Sequence, residues 1–267
     1  QMNIKRLAAS GVMLAMLLTG AVMAHGETAD FGNPADFKTG MEENFYVQEG
    51  SFQELDTIKM ASQGKLMSCF GNNAGSVYTV FFLPPAPEQD YAIGNPERGW
   101  VDEAPTAIDD PEIENYPANP FFSPAGWQYK LRQDEALVLF TGLPPQCKYY
   151  SFINYILFTQ EKELKDYTSE KAYFRVGNQD IGLYHPVFGS IGSSIHAGNV
   201  KSTDGSPYGS QAVIVISANQ TVTDTVLAQL KASGFSEDVI NVMTIPAETY
   251  RMGLEKGKDT FAFLGRI

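Results

Sequence analysis

Five short runs of β-branched and aromatic residues constrain the fold more than any other feature of this sequence. Glycine, proline, asparagine or serine bounds each run, which is typical of β-strands separated by turns. The runs are 77–83 (VYTVFFL), 136–141 (ALVLFT), 149–158 (YYSFINYILF), 212–217 (AVIVIS) and 260–264 (TFAFL), and a further strand is expected at 242–245. Because 149–158 is apolar at both parities, we expect other elements to cover both faces of its sheet.

The clearest helical pattern covers residues 223–233, where Val226 and Leu230 lie on one apolar stripe. Thr223 can cap the start of this helix, and Gly234 can end it. Strands mixed with one such helix predict an α+β fold, with a largely antiparallel β-sheet on which the helix packs. A β-sandwich with one decorating helix is the alternative.

The first 24 residues have the pattern of a secretory signal peptide. Lys5 and Arg6 precede an apolar run from Leu7 to Leu18, and small residues stand at positions 22 and 24. This run is too short for a stable membrane span. We therefore expect a soluble exported protein, periplasmic or extracellular, with a loose N-terminal lead-in at 25–50 and a single α+β domain at 51–267.

Charge excludes one class of partner. Segment 1–24 contains Lys5 and Arg6 but no acidic residue, so its removal changes the net charge from −12 to −14. Nucleic-acid binding requires clustered lysine and arginine, so no nucleic-acid partner is expected.

Cys69 and Cys147 are the only cysteines. In an oxidising compartment such a pair predicts a disulfide. Cysteine and histidine occur nowhere at the spacing of a metal site, so no metal or other cofactor is expected.

Residues 84–124 form a long acidic and proline-rich segment, with nine of the fifteen prolines and nine acidic residues against Arg98 alone. Proline lacks a backbone donor, so this segment cannot form a central strand or a long helix. Aromatic residues such as Trp100 favour docking of the segment onto the body as an ordered flap. Its carboxylates are possible calcium ligands, although the sequence has no calcium-loop motif.

Segment 182–199 (GLYHPVFGSIGSSIHAGN) contains two of the three histidines, with four glycines and three serines. His185 or His196 could serve as a general base for Ser190 or Ser193. The G-x-S-x-G motif of hydrolases is absent, however, and glycine and serine are equally typical of turns. We interpret the segment as a glycine-rich loop that carries these four candidate catalytic residues.

Aromatic residues concentrate between 149 and 184, and tyrosines there can line a pocket for a neutral organic ligand. Two arginines interrupt aromatic or apolar surroundings and could each hold a carboxylate, or could simply pair with an acidic residue. The candidate ligand-binding residues are Tyr155, Arg175, Tyr184, Trp100 and Arg251.

The leading prediction is an exported protein that binds a small organic ligand in an aromatic-lined pocket. The pocket is expected between strand 149–158, the glycine-rich loop and the flap. One alternative is a metal-independent hydrolase or lyase with a histidine general base. The other is an envelope or surface interaction protein that uses the flap as its contact.

Overall fold

The computed structural model describes residues 13–18, 31–55, 77–83, 129–161, 174–175, 183–255 and 258–267. Its α-helices are α1 (Pro34–Glu42) and α2 (Gln220–Ala232). Short 3-10 helices lie at Thr203–Gly205 and Glu237–Val239. The strands are β1 (Met13–Leu18), β2 (Tyr46–Leu55), β3 (Tyr78–Phe82), β4 (Ala136–Gly142), β5 (Ser151–Glu161), β6 (Phe174–Arg175), β7 (Leu183–His196), β8 (Gln211–Ser217), β9 (Ile240–Thr244) and β10 (Thr260–Arg266).

The strands are hydrogen-bonded in the order β6-β7-β5-β10-β3-β2-β1-β4-β8-β9. β2 belongs to two sheets, because Tyr46–Gly50 pairs with β1 and Ser51–Leu55 pairs with β3. The first sheet contains β1, β4, β8, β9 and the first half of β2. The second sheet contains the rest of β2 with β3, β10, β5, β7 and β6, and all of its described pairs are antiparallel. The arrangement confirms the predicted strand-rich α+β fold.

The two sheets pack face to face over a shared apolar core. Phe263 of β10 stacks on Phe81 of β3, with ring centroids 4.2 Å apart, and lies parallel to Phe152 of β5. The first sheet contributes Leu137, Leu139, Ala212, Ile214, Ile216 and Met243 to the same core. The sandwich alternative anticipated this packing, but α1 and α2 together cover the other face of the first sheet.

Both helices rest on β4 and β8. Phe37 and Met41 of α1 and Val226 and Leu230 of α2 share a second buried cluster with Val138 and other strand residues. β4 is therefore buried on both faces, which explains why its sequence is apolar at every position from Ala136 to Phe140. None of the helices in the described part of the chain is long and apolar enough to cross a membrane.

The start of α2 differs from the prediction. Asn219, rather than Thr223, is the N-cap, and its Oδ1 accepts hydrogen bonds from the backbone N–H groups of Thr221 and Val222. The Thr223 hydroxyl instead donates to the Asn219 carbonyl at 3.1 Å. Gly234 follows the helix with φ +86°, as expected of a residue that ends a helix in the left-handed region.

The loose lead-in predicted for residues 25–50 is wrong for residues 31–50. They form α1 and the first half of β2. Asn33 caps α1 by accepting a hydrogen bond from the Ala35 N–H at 3.0 Å, and Pro34 occupies the first helical position. Only two residues of α1, Phe37 and Met41, are buried, so the sequence of this helix gives a weak periodic signal.

The glycine-rich loop predicted at 182–199 is also wrong, because most of it is the fourteen-residue strand β7. Between the pairs Phe152–Ile195 and Asn154–Ile191, β7 carries more residues than β5, so the strand bulges there. Gly192 lies in this bulge with φ +67°, a conformation that favours glycine. Glycine and serine thus bend a strand here rather than form a connector.

Candidate functional site

The register of β5 and β7 separates the two candidate histidines. His185 lies opposite Thr159, and His196 lies opposite Ser151. Eight residues of extended strand separate these two positions on β5, a distance of about 26 Å at 3.3 Å per residue. The histidines therefore cannot belong to one catalytic site.

His196 has a local role in the turn that follows β7. Its Nδ1 accepts a hydrogen bond from the Gly198 N–H at 3.0 Å, and its backbone N–H donates to Asn199 Oδ1 at 2.7 Å. Ser190 and Ser193 are exposed, and in the described segments no hydrogen bond joins either hydroxyl to His196. Their geometry here fits a turn and a bulge better than a nucleophile and its base.

Other candidates meet at the opposite end of the same strands. Tyr184 pairs with Gln160 of β5 on one side and with Phe174 of β6 on the other, and Arg175 pairs with Leu183. Their side chains, with that of His185, lie outside the described residues, as do Trp100, the whole flap and Cys69. The backbone register alone brings His185, Tyr184 and Arg175 to one corner of the second sheet.

Arg251 joins this corner through β5. Its Nη2 donates to Thr159 Oγ1, the residue opposite His185. Its Nε donates to Asp259 Oδ1 at 3.1 Å, and its backbone N–H donates to Asp259 Oδ2 at 2.8 Å. The sequence left open whether Arg251 holds a ligand or pairs with an acid, and Asp259 is the acid with which it pairs.

Lys130 is the most buried cation beside this pair, with 3% of its surface exposed. Its Nζ donates to the carbonyl oxygens of Glu255 and Lys258, at 2.9 and 3.0 Å. Burial lowers the pKa of Lys130 to about 8, while nearby Asp259 opposes that shift. The hydrogen bonds of Arg251, Asp259 and Lys130 thus connect the segment before β10 to Thr159 of β5 and to Lys130 itself.

A neutral polar pair lies in the core between the sheets. Asn154 of β5 is 1% exposed, and it is the register partner of both Phe263 and Ile191, two residues of the inter-sheet core. Its Oδ1 accepts a hydrogen bond from the Tyr129 hydroxyl at 2.5 Å. The Asn154 Nδ2 group is buried, and no residue in the described part of the chain accepts a hydrogen bond from it.

The surroundings of this pair are aromatic. The ring of Tyr129 lies 6.1 Å from that of Phe261, which in turn meets the edge of Tyr250. Burial raises the pKa of the Tyr129 hydroxyl, so it stays a protonated donor to Asn154 at neutral pH. Among the residues that the structure describes, Asn154 Nδ2 is thus a buried donor without an acceptor, close to aromatic rings.

Tyr155, the neighbour of Asn154, faces the other side of β5. It is half-buried and pairs with Ser190 of β7, and burial raises the pKa of its hydroxyl. Strand alternation therefore places the predicted ligand residue Tyr155 and the buried Asn154 on opposite faces of the second sheet.

Sequence reasoning missed Asn154, Tyr129 and Lys130. The signal for Asn154 was present, because it stands between Phe152 and Ile156 at the parity that is otherwise apolar. A lone amide at such a position needs a partner inside the core. The neighbouring sequence does not indicate that Lys130 is buried, because its acceptors lie more than a hundred positions away.

The remaining observations concern the cysteines and the possible metal ligands. Within the described part of the chain Cys147 forms no bridge, and its Sγ donates to the Tyr149 carbonyl at 3.4 Å, so the predicted disulfide with Cys69, which lies outside that part, gains no support. Among the described residues, no three histidine, cysteine or acidic side chains are grouped as a metal site would require.

The arrangement therefore offers two neighbouring features, a charged cluster whose members pair with one another and a buried amide whose donor has no acceptor among the described residues.

Comparison with protein-family models, curated protein sequences and solved structures gives no significant match from which a family could be assigned.

Proposed function

We propose that this chain is an exported protein that binds a small organic ligand between its two sheets, at Asn154. The proposal is supported by the buried Asn154 Nδ2, which has no acceptor in the segments that the structure describes. A buried donor without an acceptor costs about 1–3 kcal/mol, so it calls for a functional or structural explanation. A ligand oxygen placed against Nδ2 would remove this cost.

The chemistry around Asn154 favours a neutral ligand that carries a ring and an acceptor oxygen. Tyr129 is protonated and already donates to Asn154. The charged groups nearby already bind one another or backbone carbonyl oxygens. Arg251 pairs with Asp259, and Lys130 donates to the Glu255 carbonyl. An ionised ligand would therefore lose its hydration without gaining a counter-charge.

A matched pair of probes tests this proposal. Acetophenone has an aromatic ring and a carbonyl oxygen, and α-methylstyrene has nearly the same shape with a methylene group in place of that oxygen. We expect acetophenone to bind roughly tenfold more tightly, because one neutral hydrogen bond contributes about 1–1.5 kcal/mol. Titration calorimetry gives the affinities, and NMR follows the Asn154 side-chain amide.

Two variants assign the effect to Asn154. Asn154→Leu removes the donor at similar volume and should abolish the preference for acetophenone. Tyr129→Phe keeps Asn154 Nδ2 and should retain that preference. Equal affinity of the native chain for both probes, or no affinity for either, would reject an oxygen-recognising site at Asn154.

A further inference from the structure

β1 is the only link between β2 and β4 in the described sheet order. Its residues Met13–Leu17 pair in parallel with Tyr46–Gly50 of β2. On its other side, Leu14–Leu18 pairs in parallel with Ala136–Phe140 of β4. One six-residue segment therefore meets the facing edges of two strands.

The same segment lies inside the apolar run of the predicted signal peptide, residues 1–24. Export would remove it from the chain. β2 and β4 would then face each other across an empty strand position, which we call the β1 slot. Adjacent strands lie about 4.8 Å apart, so the slot is about 10 Å wide.

α1 holds the two edges of this slot apart. Its Phe37 packs edge-on against Phe140 of β4, with ring centroids 5.5 Å apart. The Asn33 N–H at its start donates to the Ser233 carbonyl at the end of α2. Only residues 43–45 separate α1 from β2, and Lys38 of α1 pairs with Glu49 of β2 at 2.7 Å. The position of β2 relative to β4 is thus set by α1 as well as by β1.

The walls of the slot define what can fill it. Along β4, Leu137 and Leu139 belong to the inter-sheet core, whereas Ala136, Val138 and Phe140 belong to the core beneath the helices. An occupant must therefore be apolar on both faces and extended, so that its backbone pairs with both edges. A strand of another polypeptide has these properties, and strand addition to an exposed edge is a common mode of recognition.

From this geometry we infer that the exported chain is a strand acceptor. Its β1 slot takes an extended apolar segment of about six residues from a partner polypeptide, parallel to β2 and β4. This inference rests on the export part of the proposed function, and it is independent of the ligand site at Asn154.

The experiment uses the full sequence expressed with export. Intact mass first shows whether residues 1–24 have been removed. The secreted protein is then titrated with a fluorescent peptide that contains MLAMLL between pairs of lysines. The control peptide carries Ala15→Pro, which removes a backbone donor from the middle of the strand. A second control is the full chain with Ala24→Arg, which blocks cleavage and retains β1.

We expect the cleaved protein to bind the MLAMLL peptide roughly 100-fold more tightly than the proline peptide. Binding should slow hydrogen exchange at residues 46–50 and 136–140. The uncleaved Ala24→Arg chain should bind neither peptide, because β1 already fills the slot.

Two results would overturn the inference. If intact mass shows that secreted protein keeps residues 13–18, β1 is a permanent strand and export with cleavage fails as well. If the chain is cleaved but binds both peptides equally or not at all, the slot has closed or is no acceptor, while export stands. The acetophenone test is unaffected in either case.

Discussion

Arg251 and Asp259 are joined by two hydrogen bonds, from the Arg251 backbone N–H at 2.8 Å and from its Nε at 3.1 Å. Asp259 is 4% exposed, whereas the Arg251 side chain is 38% exposed. The pair closes the segment between them, and Arg251 also reaches Thr159 on β5. It therefore connects this segment, in which Met252 and Leu254 are buried, to the second sheet.

Asp259→Ala should lower the free energy of unfolding by about 3 kcal/mol, since it removes a buried carboxylate and with it two hydrogen bonds from Arg251. Urea denaturation measures the change. Glu49→Gln is the matched control, because Glu49 pairs with Lys38 at the surface and its loss should have little effect. Equal effects of the two substitutions would contradict a structural role for the Arg251–Asp259 pair.

Glu135 should make stability depend on pH. Its carboxylate is fully buried at the start of β4, where Oε2 accepts from the Arg132 N–H at 2.6 Å and Oε1 pairs with Arg132 Nη2 at 2.9 Å. Burial raises the pKa of Glu135 to about 7, against the opposing effect of Arg132. Between pH 4.5 and 7 the folded chain therefore keeps a proton that the unfolded chain releases.

The free energy of unfolding should consequently fall by up to about 3 kcal/mol from this group as pH rises from 4.5 to 7. Glu135→Gln cannot titrate, so its stability relative to the native chain should improve across the same interval. Urea denaturation at pH 5 and pH 7.5 measures both proteins. A stability difference that stays constant between the two pH values would show that Glu135 is not protonated in the folded chain.

Asn219→Ala should cost about 1 kcal/mol of unfolding free energy, because Asn219 satisfies two backbone donors at the start of α2. Gln220→Ala at the adjacent exposed position is the control, and its effect should stay within about 0.5 kcal/mol. Thermal or urea unfolding followed by far-UV circular dichroism checks both. A loss from Asn219→Ala no larger than the loss from Gln220→Ala would contradict a stabilising role for the cap.

The local sequence pattern was sufficient to predict most of the described strands. Run 136–141 became β4 at Ala136–Gly142, and run 212–217 became β8 at Gln211–Ser217. These segments are short, rich in β-branched residues and bounded by turn-forming residues, which is typical of buried strands. α2 was predictable from its apolar stripe, although its cap was assigned four positions too late.

Segments with mixed signals were not predictable in this way. Serine and glycine in 182–199 favour turns locally, but hydrogen bonds to β5 make most of the segment a strand and place Gly192 in a bulge. The apolar run at 13–18 predicts a signal peptide, and it also fits between β2 and β4 because both uses require only continuous apolarity.

The sequence by itself determined the class of fold and most of the described strands, because strand propensity and alternation are properties of neighbouring residues. Only the tertiary structure decided which polar groups meet. Asn154 and Tyr129 are 25 positions apart, and Lys130 is 125 positions from its acceptor Glu255. Such pairs follow from strand order and register, which depend on packing across the whole chain rather than on any local pattern.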